Sequence, residues 1–476
     1  MNLLAFIIGI AIPLALGWMM LLLLERKNPV LGNIERWFWA LVLGPTLFAL
    51  LAFIFHVLGI TKLNLFGFLM PSIVLLLILL AVAKRTHAFT ARTHQPAYAG
   101  SIPLPASLKV GILILAVWTG IKILAGSIDL ISVPTYWDDS FNNWNMRGKM
   151  FFVTEMLTLE IPIGNGMIQS SAGVGSYPST VPLLKTWLST LRGSWEEPLV
   201  NGLHVIWFTG LLGSFFFGLR RRLSPLLSLG GTCLLVSLPL LLIQATNPYA
   251  DIFMAAHVLL AILCLISLAS QRDPEKSRTW TSIFGLSLGL LFFTKNEATV
   301  LYAPLLTLML LWVLFEKKRA GILNVEQARR LLGLSMLLAM TFAAPWLLFK
   351  WSQGLTFGNA KSVSGLSIVF NALSLQAIWY HLTREPNWLL LPLVTPLAVI
   401  LSGKKAFKLP DGILTVFLIL VISAQIFIFT FTPLAPEAIM QTGLSRGLLH
   451  VMPIAMMLTI FLTEQLVRLT HSAPSS

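Results

Sequence analysis

Apolar runs of spanning length, separated by short basic clusters, recur along almost the whole of this 476-residue chain. A bilayer core needs ~20 apolar residues per helical span. That pattern confines the chain to helices that use lipid as their solvent. Composition agrees. Hydrophobic residues make up 56% and charged residues only 11%, against ~25% charged in a soluble domain. Mean hydropathy is +0.82. A soluble protein this apolar could not cover its own surface. The net charge of +14 does not indicate a nucleic-acid partner. The basic residues form no single patch but sit in clusters between apolar runs, as the positive-inside rule requires. Cys233 and Cys264 both lie inside apolar runs, so there is no disulfide framework and no CxxC metal signature.

Spans are expected at 3–24, 36–58, 65–83, 109–127, 199–218, 226–243, 252–269, 280–294, 299–315, 331–349, 388–402, 412–431 and 447–465, about thirteen in all. The first is followed by Glu25-Arg26-Lys27 and lacks a basic leader, so it reads as a retained span rather than a cleaved signal. With Arg26 and Lys27 set in the cytoplasm, counting turns puts every dense basic cluster on that side. These clusters are Arg36, the Lys84–Lys109 stretch, Arg220-Arg221-Arg222, Arg272 to Arg278, Glu316 to Arg330, Lys404 to Lys408, and Arg468. The N-terminus is then outside and the C-terminus inside. The chain divides into an N-terminal unit of three spans (1–108), a central module (109–350) and a C-terminal unit (351–476). Two long outside segments, 127–198 and 350–387, interrupt the pattern. Loops of such length are usually functional or disordered. The first is rich in Trp, Tyr and Pro, which predicts order. No solenoid repeat and no inverted repeat of the transporter kind is visible.

Within the first loop, residues 137–152 fit a helix at ~100° per residue. Trp137, Phe141, Trp144, Gly148 and Phe151 share one face. Asp138, Asn142, Asn145 and Lys149 share a second, and Asp139 points further round. This predicts a juxtamembrane amphipathic helix with aromatics in the headgroup layer. Its polar face suits a phosphate or sugar just above the lipid. A plain surface anchor for the loop has the same pattern. Farther on, Ser176-Tyr-Pro-Ser-Thr-Val-Pro-Leu-Leu-Lys-Thr-Trp187 places a turn between prolines, which a re-entry corner would also explain. Other polar groups mark span ends on the same side: Tyr249-Ala-Asp251, Lys295-Asn-Glu297 and Ser445-Arg446. Ionisable groups at membrane depth are costly and so are candidates for function. Lys295 with Glu297 could be a simple pair, and Arg446 could snorkel. Their convergence with Asp138, Asp139 and Asp251 on one face is what gives them weight.

Taken in order, these motifs resemble the GT-C superfamily of polyprenyl-phosphate-sugar-dependent glycosyltransferases. The likeness is closest to bacterial relatives of protein O-mannosyltransferases and lipid A aminoarabinose transferases. The matching elements are Trp137-Asp138 with Trp144, Arg147 and Lys149; Tyr177 to Leu184; Tyr249-Ala-Asp251; Lys295-Asn-Glu297; and Arg446 before Pro453. They cover residues 110–455. Gly148 and Ala298 stand where relatives commonly carry Ala and Gly, and both changes are small for small.

The resemblance implies transfer of a sugar from a polyprenyl-phosphate carrier to a glycan, lipid or protein acceptor outside the cytoplasm, in a bacterial inner membrane. Lys149, Arg147, Lys295 and Arg446 would stabilise the leaving phosphate. Asp138, with Asp139 in reserve, would act as base or orienting carboxylate. One carboxylate suffices for inversion, unlike the carboxylate pair of glycoside hydrolysis. Tyr177, Tyr249, Asp251 and Glu297 are further site candidates. Some relatives bind a divalent metal, which Asp138 and Asp251 would then share. Two other classes remain open from the residues. A transporter would place charges in the membrane core, whereas here they gather at one face. A ligase or polymerase using lipid-pyrophosphate donors calls for more outside arginines than Arg147 and Arg192.

Overall fold

The computed structural model describes residues 3–89, 98–100, 104–135, 139–163, 167–169, 173–356 and 368–472. The chain is an all-α membrane protein whose helices run between two ends, here termed the basic end and the loop end.

Helix α1 (Leu3–Leu24) runs to the basic end and α2 (Asn33–Val57) returns beside it. Their turn is fixed by the buried Glu25 carboxylate. It accepts from Val30 N at 2.8 Å and Leu31 N at 2.6 Å, and it pairs with Arg36 Nε at 2.7 Å. Both oxygens of the buried carboxylate thus find partners. Helix α3 (Leu65–Arg85) is capped by Asn64, whose Oδ1 accepts from Gly67 N at 3.1 Å. Helix α4 (Ala106–Ser132) returns to the loop end with only 11% of its span window buried, the signature of a lipid-facing helix.

The segment between α4 and the next long helix is folded. It contains a π-helical turn (Ser140–Asn145), α5 (Met146–Thr154), an antiparallel hairpin of β1 (Ile161–Ile163) with β2 (Met167–Gln169), α6 (Thr180–Arg192) and α7 (Glu197–Asn201). Trp187 of α6 donates from Nε1 to Gly9 O of α1 at 2.8 Å, which docks this segment on the bundle. Leu63 N also donates to Glu155 O at 2.9 Å.

Helix α8 (Leu203–Arg220) leads to the basic end, and α9 (Pro225–Val236) with α10 (Pro239–Ala245) leads back, bent by 82°. Helix α11 (Asp251–Ser270) is the central post, with 94% of its span window buried in protein. Helix α12 (Pro274–Leu291) retraces it. Gly285 and Gly289 face α14 (Val325–Ser352), where an added Cβ would sit 2.6 Å from Ser335 O and 2.6 Å from Ala339 O. This small-residue spacing brings the two backbones into contact. Helix α13 (Ala303–Arg319), entered through a π-helical turn (Ala298–Tyr302), packs against α11. At the basic end its Lys317 Nζ donates to Leu268 O at 3.0 Å. The remaining helices are α15 (Ala372–Thr383), α16 (Leu391–Ser402), α17 (Asp411–Phe431), α18 (Ala435–Ile439), α19 (Gly443–Leu449) and α20 (Met452–Ser472).

The expected thirteen spans are too many by a criterion of length and hydropathy. Among the described residues nine helices qualify, or up to eleven if α9 with α10 and α19 with α20 each count once. The expected span at 388–402 contains α16, which has 12 residues. At 1.5 Å per residue that is about 18 Å, short of a ~30 Å core. The expected span at 280–294 lies in α12, whose first turns carry Glu275, Lys276 and Arg278 and dilute its apolar character.

Candidate active site

Asp251 opens α11, where the positive end of the helix dipole favours a carboxylate. It is 0% exposed. Its Oδ1 accepts from Lys295 Nζ at 2.7 Å and lies 2.9 Å from His450 Nε2. Its Oδ2 accepts from Arg446 Nε at 3.0 Å. The sequence supplies these partners from three places. Lys295 follows the end of α12, while Arg446 and His450 lie one turn apart around the bend between α19 and α20. The far nitrogen of His450, Nδ1, lies 3.2 Å from the Tyr302 hydroxyl. With Nε2–H facing a carboxylate, Nδ1 is an acceptor, and the Tyr302 hydroxyl is shared between it and Gly447 O at 3.3 Å. A carboxylate removed from water needs such a set of partners to remain ionised.

A second layer of charge lies above Asp251. Arg446 turns its Nη1 outward to Asp139 Oδ2, and its guanidinium stands 5.2 Å from the centre of the Tyr249 ring. The Arg446 side chain is 23% exposed and that of Asp139 38%. Lys295 Nζ also meets Glu297 Oε1 at 3.3 Å; the Glu297 side chain is 42% exposed, but its Oε2 is buried and takes no hydrogen bond from any described residue. Both cations therefore have a buried partner, Asp251, and a second carboxylate that is only partly buried, Asp139 for Arg446 and Glu297 for Lys295. Tyr177 borders this mouth, edge-on to Trp144 with centroids 5.9 Å apart. Burial, then the Glu297 carboxylate, raises the Tyr177 phenol above its usual range. It stays a neutral donor at ordinary pH.

Two buried cations brace the mouth from behind. Arg147 donates from Nη2 to Tyr177 O at 3.0 Å and to Ser179 Oγ at 2.9 Å. Lys350, at the end of α14, donates to Ser176 O at 2.7 Å and to Asn296 Oδ1 at 3.0 Å. The Tyr-Pro element is thus clamped to both α5 and the Lys295-Asn-Glu297 element. Arg147 is fully buried behind the mouth; its Nη1 donates to Asn143 Oδ1 at 3.4 Å, and its Nε has no hydrogen-bond partner among the described residues. Lys149 is exposed and takes no ion pair with any described residue. Trp137 and Asp138 lie outside the described residues.

The face assignment for 137–152 changes in two respects. Trp144, Gly148 and Phe151 are buried, with Gly148 set against Lys185 Cβ, Trp195 and Pro182 O, so this face meets α6 rather than the headgroup layer. Asn145, expected on the polar face, is buried as well. The π-helical turn inserts a residue and rotates what precedes it. Asn145 Oδ1 accepts from Lys185 Nζ, which also donates to Asn201 Oδ1 at 3.2 Å. Asn145 and Asn201 each donate to Thr135 Oγ1 at 3.0 Å.

Lys185 is fully buried, and its burial pulls the amine from 10.5 down to about 7, against a smaller opposing effect of Glu197. The unfolded chain therefore holds a proton between about pH 7 and 10.5 that the folded chain sheds. The folded state is penalised below the lower value and recovers as pH rises toward the upper one. We expect the thermal midpoint of the purified protein to gain from this group between pH 7 and 10. Lys185→Met should remove that part of the slope. Identical pH slopes for the two proteins would show that Lys185 is not desolvated.

Sequence reasoning missed His450, Tyr302, Lys185 and Lys350. His450 carried a usable signal, because it falls one helical turn after Arg446. Asp251 does not fit the metal that the motif resemblance raised. Both its oxygens are engaged, two partners are cations, and a divalent ion there would face Lys295 and Arg446. Among the described residues no group of three or more His, Cys, Asp or Glu is placed to hold a metal ion.

These features define a multi-pass membrane protein with a layered charge cluster at one end of the bundle. Compared with protein-family models and with curated proteins, the chain matches none of them.

Proposed function

We propose that the protein is an inverting glycosyltransferase that moves a sugar from a polyprenyl-phosphate carrier to an acceptor at the extracytoplasmic face of a bacterial inner membrane. In this reading the loop end and N-terminus are extracytoplasmic and the C-terminus is cytoplasmic. The acceptor is a hydroxyl group of a glycan, lipid or protein.

The observation that carries the reading is Arg446, held from below by Asp251 and facing outward to an exposed, replaceable Asp139. An arriving lipid phosphate exchanges with Asp139 on the outer guanidinium nitrogens, while the inner bond keeps the side chain aimed. Lys295 exchanges Glu297 in the same way. The acceptor oxygen attacks the anomeric carbon as the bond from that carbon to the phosphate oxygen breaks. The bonding pair leaves with the phosphate, where the two cations stabilise it. The acceptor proton passes to a carboxylate. Asp139 serves as the counter-ion of Arg446, so we assign this last role to Asp138. The ordered motif set from Trp137 to Pro453 supports the donor class, and cations held in place by a buried carboxylate suit a reaction that creates charge on phosphate. Sugar transfer in membranes from a host lacking the protein, with purified polyprenyl-phosphate sugars supplied singly, tests it. Release of polyprenyl phosphate is expected with at least one donor.

A further inference from the structure

The basic end, opposite the candidate active site, holds a cavity of about 310 Å³ between α8, α11, α12 and α20. That volume lies at the lower end of the range of small-ligand pockets. Arg221, Arg222 and Lys276 line it, and no lining residue is a carboxylate. Its inner wall is apolar, formed in part by Met457 and Phe461. Each arginine is held in place twice. Arg221 pairs with Glu35 at 2.7 Å and lies 4.8 Å from the Trp280 ring centre. Arg222 pairs with Asp411 and lies 4.2 Å from the Phe461 ring centre. Lys276 takes no ion pair with any described residue. Ser267, 7% exposed, also lines the cavity, and its Oγ is buried without a hydrogen-bond partner among the described residues.

The geometry points to a second binding site, a phosphate-headgroup site for an anionic phospholipid at the basic end. Two fixed guanidinium groups, one uncompensated ammonium and an unused hydroxyl face one void. These are donors for an anion with several acceptor oxygens. The wall behind them is hydrocarbon and belongs to helices that span the bilayer, so the anion that fits best is one attached to acyl chains. Basic pockets between membrane helices recognise lipid headgroups in this way. Nothing in the proposed sugar transfer uses this end of the bundle.

The test is native mass spectrometry of the full-length protein in detergent. It would be titrated separately with phosphatidylglycerol, phosphatidylcholine and inorganic phosphate. We expect retention of phosphatidylglycerol over phosphatidylcholine. Lys276→Gln should weaken it about fivefold, as loss of one basic contact implies. Lys404→Gln, at the same end but outside the cavity, should leave it unchanged. Unaltered thermal midpoints show that both variants remain folded. Displacement of the lipid by inorganic phosphate at similar concentration would keep the phosphate site but overturn the lipid as its ligand. Equal retention of the two lipids, or equal weakening in both variants, would overturn the site itself.

Discussion

Asp251→Asn is expected to destabilise the folded protein by about 3–5 kcal/mol, the range found when one partner of a buried ion pair is removed. The amide keeps the volume of the carboxylate but not its charge. Lys295 and the inner side of Arg446 would then be buried cations with no fixed anion beneath them. Their second partners, the partly buried Glu297 and Asp139, offset only part of this, because each bridges one cation from the solvent side, where a pair contributes about 0–1 kcal/mol. The measurement is the midpoint of thermal unfolding in detergent. Asp251→Asn with Lys295→Met should recover part of the loss, since the second change removes one stranded charge. That sign of coupling separates electrostatics from simple damage to packing. An unchanged midpoint in Asp251→Asn would mean that the cluster is hydrated rather than buried.

Arg446→Lys is expected to remain folded and yet lose transfer activity by about 10²-fold or more, the scale of a lost preorganised donor. An ammonium keeps a positive charge near Asp251 and so preserves most of the stability. It cannot do what the guanidinium does, which is to bind Asp251 through Nε and meet an anion at the mouth through Nη1 at the same time. The loss should fall mainly on kcat, because charge on the leaving phosphate grows toward the transition state. A variant with wild-type kcat and only a raised KM would show that Arg446 binds ground state and transition state equally.

Much of the helical framework was legible in the sequence. The limits expected for α1, α2, α3, α4, α8, α11, α13, α14 and α17 lie within several residues of those observed. Hydropathy reports burial in lipid or protein, so it could not reveal a bend. The run at 226–243 is one apolar stretch, but Pro239 interrupts the helix and the chain turns by 82°. Nor does hydropathy separate a short helix from a spanning one where apolar residues continue through a turn, as they do into α16.

At the site, the sequence pointed to Asp251, Lys295, Arg446 and Glu297 because charges are costly at span ends. It could not show who pairs with whom. Arg446 and Asp251 are 195 residues apart, and only the packing of α11, α12 and α19 joins them. The helical wheel for 137–152 grouped Phe141 with the buried Trp144 and Phe151, yet Phe141 is 50% exposed, because a wheel assumes one uniform pitch and the π-helical turn at 140–145 breaks it. The motif resemblance made Arg147 a candidate phosphate ligand. Its neighbours Tyr177 O and Ser179 turn it into a clamp.

Sugar transfer from a polyprenyl-phosphate carrier is best tested by release of polyprenyl phosphate in membranes, with wild type compared against Asp138→Asn and Asp139→Asn. Donor-specific release is expected from wild type. A loss of about 10²–10⁴-fold is expected in Asp138→Asn, the usual worth of a positioned acid or base, and a smaller loss in Asp139→Asn. No release from any polyprenyl-phosphate sugar by folded, correctly inserted wild type would contradict that transfer.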